Sequence, residues 1–523
     1  MHAMHRVREQ LKVSGKKVIY NRNRWYYTDQ LRYDVEKVMV SLDQFGIRPA
    51  DRVLLSAPNS YEWVVTYLGI LMYGATVVPV NPQATRVEVD RILAESSARG
   101  MIESRTTREA QLEANAEPVV TPQRDHLMRA YISCDELGQF HMECTTSSRT
   151  NAPDNALPER RGDGAFAKGL SNYGVLLFTS GTTGRPKGVF LLVELLHATA
   201  DEVIASHHLT SEDVCYGFLP LFHINAQVVG LLSTLLSGGT LVLEERFSAT
   251  RFWETVFCLR VTWISAVPAV ISILLQTESC GSPADHVRFI RSASAPLPEL
   301  HAHRFENKFG IPIIESYGMT EAASQVCVNP LPPERRKYGS VGIPRGISLR
   351  ITGEQGETLP TNQVGEIALA GDRLIKSYAS GDESRDSFQN GWFMTGDLGY
   401  QDEDGYVFIT GRRKEMINRA GQKISPREVE DVLRKHSRVQ GVAVIGLPDE
   451  IHGERVAAYI IPDQFSRQEE LLAELRALCE ENMAPYKQPA EIKFVDVIPA
   501  GPTGKVQRHR LREQEIARMS LSS

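Results

Sequence analysis

No Cys-x-x-Cys pair occurs in this chain of 523 residues, and its seven cysteines are scattered without a matching histidine spacing. That excludes a zinc ribbon or a disulfide framework as the organising device. It points to a reducing, cytoplasmic setting. Cys258 and Cys327 sit in apolar company and read as core packing. An excess of positive charge is also missing. The formal net charge is −6, which offers no broad basic field to a nucleic acid. The start, MHAMHRVREQLK, lacks an apolar core, so no secretory signal is expected. The final LSS matches no simple address. Long apolar runs are few. The longest, from Trp63 to Val80, holds two glycines, two tyrosines and a proline. It reads as a buried helix followed by a strand, not as a membrane span. There is no internal repeat.

The chain is too long for one ordinary core, so two or more domains are expected. From about residue 50 to 330, short apolar runs alternate with helical patterns. VLLFTS, GTLVLEE, TWISAV, VRFIRSA and IPIIES read as strands. Residues 191–206, SATRFWETVFCL with Ser248 as cap, PAVISILLQ with Pro268 in its first turn, and PELHAHRFENKF read as helices. This alternation predicts parallel sheets with crossover helices. Residues 104–168 are polar and proline-dotted, and read as a long surface excursion. After residue 340, glycine-punctuated strands such as GEIALAG and GYVFITG predict a β-rich subdomain. Near residue 414 a compact α+β unit begins, its first helix SPREVEDVLRKH capped by Ser425. QDEDGY lacks the ligand spacing of a calcium loop and reads as a turn at Gly405.

The segment LLFTSGTTGRPKGVFL carries the chemistry. Its glycines let backbone approach a ligand, and successive N–H groups can form an anion nest. Thr179, Ser180, Thr182 and Thr183 add hydroxyls, and Lys187 adds a point charge. Together they describe a polyphosphate grip. It is not a Walker A loop, because Arg185 and Pro186 separate Gly184 from Lys187.

TSGTTGRPKG resembles the phosphate loop of the acyl-adenylate-forming superfamily, which includes acyl- and aryl-CoA synthetases, peptide-synthetase adenylation domains and firefly luciferase. The resemblance extends through SYGMTEA, GWFMTGDLG, GRRKEMINRAGQKISPREVE and PTGKVQR, in the family's order, over roughly residues 15–515. It implies an α/β chain with a large N-terminal region of parallel sheets and a β-rich subdomain, residues 1–412. A small mobile α+β C-terminal domain, residues 413–523, would carry Lys505.

The resemblance also implies a reaction. A carboxylate attacks the α-phosphate of ATP to give an acyl-adenylate and pyrophosphate, and CoA then takes the acyl group as a thioester. Both first reactants are anions, so the site must supply fixed positive charge. By resemblance, Thr179, Ser180, Gly181, Thr182, Thr183, Gly184 and Lys187 hold the β- and γ-phosphates. Thr320 contacts phosphate, Glu321 holds Mg²⁺, and Tyr317 stacks on adenine. Asp397 and Arg412 bind the ribose, and Arg413 is a solvated charge. Lys505 bridges carboxylate and α-phosphate. Lys414 is the hinge about which the C-terminal unit turns, and Gly421 then lines the pantetheine tunnel. His223 gates the acyl pocket and thiol tunnel. The acyl pocket includes Asn225, Ser294 and Gly318.

Asn225, Gln227, Ser292 and Ser294 make that pocket polar, and LPLFHINAQ, SATRFW and INRAGQKISP resemble a branch of small-acid ligases, oxalate-CoA and carnitine/crotonobetaine-CoA ligases among them. A short or polar acid is therefore expected. Around the expected pocket segments, residues 223–227, 267–268, 292–297 and Gly318, Arg291 is the one lysine or arginine, so a dicarboxylate is not established. Two other readings stand beside the CoA ligase: an adenylating ligase loading a separate carrier protein, and a catalytically silent nucleotide-binding relative. A homodimer is compatible with the family but has no sequence signal.

Overall fold

The computed structural model describes residues 3–105, 127–144, 172–179, 187–277, 285–379, 387–463, 466–501 and 506–522. A nine-stranded sheet forms one layer. Its central strands, Lys17–Asn21, Thr240–Leu243, Val214–Gly217, Trp263–Ala266, Phe289–Ser292 and Ile313–Met319, run parallel in that spatial order. Antiparallel strands close both edges. Helices Phe252–Cys258, Pro268–Gln276 and Glu299–Phe309 make the crossovers. The alternation read from the sequence thus becomes the parallel sheet it predicts.

A seven-stranded sheet forms the second layer, ordered Phe140–Cys144, Met128–Cys134, Gly100–Ser104, Arg52–Ser56, Thr76–Val80, Gly174–Thr179 and Lys187–Leu192. Between the layers runs helix Tyr61–Tyr73, in which all thirteen residues are buried. Ser60 caps it by accepting from the Trp63 N–H, and Gly74 ends it in the left-handed region. Gly69 lets helix Thr28–Gln44 approach, since a Cβ there would lie 2.5 Å from Val38 Cγ1. The apolar run is therefore a core helix and strand. Among the described residues, no helix is long and apolar enough to cross a membrane.

Residues 348–412 form an antiparallel five-stranded sheet, and a further five-stranded sheet with helices Pro426–Leu433, Gln468–Asn482 and Arg508–Ser522 forms the C-terminal unit. Gly405 bends its turn with φ +85°, and Lys337 ties down Asp402 and Asp404 there.

Four expectations are corrected. The 104–168 stretch is not wholly an excursion. Met128–Cys134 and Phe140–Cys144 are paired strands, the second at the sheet edge, and Phe140 is fully buried. Residues 106–126 and 145–168 lie outside the described residues. The helix after Ser248 starts only at Phe252, and the Ser248 hydroxyl meets Thr250 instead of a helix N–H. Ser425 occupies a cap position, but its hydroxyl donates to the Thr410 carbonyl, 2.6 Å away, which ties the C-terminal unit to the preceding sheet. Cys258 is exposed because it falls at the solvent side of its helix end, whereas Cys327 is buried as expected.

Candidate active site

The parallel sheet sets up the site by alternation. On one face, Trp263 and Phe289 are followed two residues later by Ser265 and Arg291, while Ile314 is followed by Ser316. The start of each strand is apolar and its carboxyl end is polar. Ligands of open α/β sheets bind beyond those carboxyl ends.

Facing these residues is Asn225, which opens the π-helix Ala226–Leu232. Such helical irregularities recur at functional sites. Arg291 donates to Asn225 Oδ1 at 3.1 Å and to Ser316 Oγ at 2.7 Å. The Ser324 hydroxyl donates to Asn225 Oδ1 at 3.2 Å. His223 lies just ahead of the π-helix, against Phe222. Burial pulls its pKa down to about 4, so the ring is neutral near pH 7. Its Nε2 is buried without a partner.

Hairpin Ile313–Val328 links this region to two others. Tyr317 points to the opposite face from Ser316, and its hydroxyl donates to Asp397 Oδ2 at 2.6 Å. Burial, then the Asp397 charge, keeps that hydroxyl protonated. Arg412 Nε meets the other Asp397 oxygen at 2.8 Å. These three residues, expected at the nucleoside, are thus gathered in one place. Arg413 is mostly exposed but pairs with Glu366 at 2.9 Å, so it also fastens the sheet.

At the far end of the hairpin, Thr320–Ala322 makes a short 3-10 turn. Ala323 and Ser324 follow with φ +51° and +106°. Left-handed geometry at non-glycine residues costs roughly 1–3 kcal/mol each and clusters at ligand sites. Glu321 accepts from the Tyr378 hydroxyl at 2.8 Å. Lys187 Nζ lies 5.0 Å from the centre of the Tyr378 ring. The Ala379 N–H bonds the Gly188 carbonyl, which joins this segment to the Lys187 strand.

Tyr378 had no signal in the sequence, where it stands in LIKSYAS. Its role depends on meeting Lys187 across the fold. Tyr378→Phe is expected to keep the lysine's aromatic support but free Glu321, and Tyr378→Ala to lose both. The Michaelis constant for ATP should rise about 3-fold for Phe and about 10-fold or more for Ala, in line with roughly 1 kcal/mol per interaction. Initial rates at varied ATP check this.

Other expected positions are placed differently. Gly318 is fixed by the hairpin itself, where a Cβ would fall 1.4 Å from the Ser324 carbonyl oxygen. Ser294 is exposed with φ +75°, and no described contact joins it to Asn225. Gly421 lies in an exposed turn with φ +85°. A Cβ there would meet nothing within 4 Å, so backbone conformation, not clearance, calls for glycine in this arrangement. Lys414 sits in the exposed turn Arg413–Glu415. Ser180, Gly181, Thr182, Thr183, Gly184 and Lys505 lie outside the described residues, as does the Thr179 side chain.

Two sequence profiles match the chain. One, described as AMP-binding enzyme, covers residues 7–379; the other, AMP-binding enzyme C-terminal domain, covers 428–505. The chain belongs to the AMP-binding enzyme family. Similar family members include a sulfoacetate–CoA ligase of Cupriavidus necator, 37% identical over 89% of this chain and 88% of that protein. An oxalate–CoA ligase of Arabidopsis thaliana is 36% identical over 88% of each. Among solved structures, ATP-bound MatB from Rhodopseudomonas palustris superposes with a TM-score of 0.83 at 27% identity, covering 98% of this chain and 99% of that one. An anthranilate CoA ligase, AuaEII, in complex with anthranoyl-AMP gives 0.83 at 27% identity, covering 98% and 97%.

Proposed function

We propose that this adenylate-forming acid–CoA ligase activates a small, polar carboxylic acid. The observation that carries the reading is the single hairpin Ile313–Val328. It holds an acid-side contact at Ser316, a nucleoside-side contact at Tyr317 and a phosphate-side contact at Glu321. A substrate whose acid, nucleoside and pyrophosphate all meet at the α-phosphate would touch all three.

In the first step an oxygen of the acid attacks the α-phosphorus, and the bond to pyrophosphate breaks. Lys187 and Lys505 supply positive charge where negative charge gathers. Asp397, with Arg412, takes the ribose hydroxyls, and Tyr317 supports the base. In the second step the CoA sulfur attacks the acyl carbon, the thiol proton is lost, and AMP leaves. His223, held neutral by burial, can orient the thiol but is a weak base and supplies no charge, so the thiol proton passes to solvent. Glu321 suits Mg²⁺, a hard cation that takes one or two carboxylates and completes its shell with phosphate and water. The ion would neutralise phosphate charge. Turning of the C-terminal unit about Lys414 would exchange Lys505 for the Gly421 turn between the two steps.

The polar set Asn225, Arg291, Ser316 and Ser324 supports a polar acid. The sulfoacetate and oxalate ligases among the relatives agree.

ATP–pyrophosphate exchange without thiol tests the reading, using short polar, aryl and medium-chain acids. Exchange is expected with short polar acids, at a kcat/KM at least about 100-fold above that for medium-chain acids, given roughly 3 kcal/mol for burying polar groups unpaired. Adding CoA should then release AMP and acyl-CoA. Exchange confined to medium-chain acids would overturn the substrate reading. Exchange without transfer to CoA, but with transfer to a phosphopantetheinylated carrier, would make it a carrier ligase.

A further inference from the structure

We infer, resting on the acid–CoA ligase reading above, that Arg291 selects acids carrying a second anionic group, a carboxylate or a sulfonate, and holds that group during activation.

Arg291 is 1% exposed. Its two bonds go to neutral oxygens, Asn225 Oδ1 and Ser316 Oγ. Among the described residues no carboxylate pairs with it. A buried cation with no counter-charge is costly, and buried arginines are ordinarily paired. Loss of hydration pulls its pKa down to about 9, which still leaves it charged at neutral pH. The charge is therefore maintained in the buried polar layer at the strand's carboxyl end, two residues after Phe289.

The atoms around it are short of acceptors. Arg291 Nε, Asn225 Nδ2 and the hydroxyl of Ser265, its register neighbour on the next strand, are all buried without a hydrogen-bond partner. Three buried groups able to donate are thus left open on neighbouring elements, which suits an acceptor-only ligand. Carboxylate and sulfonate oxygens fit that description, and a guanidinium offers the paired N–H geometry that both groups prefer. The reacting carboxylate cannot be the lasting partner, because its charge is consumed when the acyl bond forms. The partner must be a second anionic group on the same molecule.

The test compares matched acids in ATP–pyrophosphate exchange: acetate, propionate and butyrate against oxalate, malonate, succinate and sulfoacetate. The wild-type chain is expected to favour its best dianion over the singly charged analogue of similar length by at least about 100-fold in kcat/KM, as sites built around polar partners do. The malonate and succinate arms separate a carboxylate partner from the sulfonate of sulfoacetate. In Arg291→Met the dianion-to-monoanion ratio should collapse by at least about 100-fold, and Arg291→Lys should restore part of it. ATP binding by each variant, followed by its thermal shift, checks that the nucleotide side remains folded. A wild-type chain that uses propionate or butyrate as well as the dianions overturns the inference while leaving the ligase reading intact. So does an unchanged ratio in Arg291→Met. No exchange with any acid, by protein that binds ATP, would instead overturn the ligase reading itself. If Arg291→Met does not fold, the wild-type ratio decides alone.

Discussion

Lys505→Ala is expected to lower adenylate formation by about 10²- to 10³-fold, the scale of losing one group aimed at developing charge. Thiolysis of a supplied acyl-adenylate should stay within about 3-fold of wild type, because the lysine has no part in that step. The residues flanking it show how such a lysine would be held. Ala500 and Val506 form a β-bridge, and the Gln507 N–H bonds the Pro499 carbonyl at 2.8 Å. Arg508 then grips both oxygens of buried Glu430, at 2.7 and 2.8 Å, and reaches Glu415 at 2.7 Å. The described residues on either side are tied to each other and to the start of the C-terminal unit, so the substitution should leave them in place. Single-turnover measurements of the two half-reactions decide the matter. An equal fall in both, in folded protein, would overturn the two-position account.

Asp397→Asn should raise the Michaelis constant for ATP by about 30- to 100-fold, with a smaller effect on the acid. Charged hydrogen bonds contribute roughly twice what neutral ones do. The amide can still accept from Tyr317, but it cannot balance Arg412, whose Nε lies 2.8 Å from the carboxylate. Arg412 is half-exposed and can turn to water, so the thermal midpoint should fall only a few degrees. Isothermal titration with ATP and a melting curve separate the two effects. A large loss of stability with unchanged nucleotide affinity would make the pair purely structural.

Residues whose roles follow from local pattern were legible in the sequence. The parallel sheet follows from short apolar runs set between amphipathic ones, and helix Tyr61–Tyr73 from an apolar run too short and interrupted for a membrane. Lys187, Glu321 and Asp397 stand inside dense motifs. Strand Phe140–Cys144 was missed because an edge strand with one wet face carries little apolar signal, and its inner neighbour Met128–Cys134 because Arg129 and Ser133 interrupt its apolar run. Tyr378 and Arg508 were missed for a different reason. Each acts through a partner far away in sequence, Tyr378 on Lys187 and Glu321, and Arg508 on Glu415 and Glu430. Arg508 would ordinarily be read as surface charge, yet it is mostly buried. For Arg291, the sequence shows a cation in a strand, but only the packed sheet shows that it lacks a counter-charge.

The phosphate loop joins two antiparallel strands, Gly174–Thr179 and Lys187–Leu192, with Thr179 opposite Lys187. Among the described residues that follow Thr179, the first helix starts at Val193. Lys187 itself opens a strand and not a helix, so it would hold a phosphate as a point charge without sharing in a helix macrodipole. Its attraction is that of a single point charge. Since such charges are screened across about 10 Å at 0.1 M salt, nucleotide affinity in this hairpin should weaken with ionic strength more steeply than in a helix-backed loop.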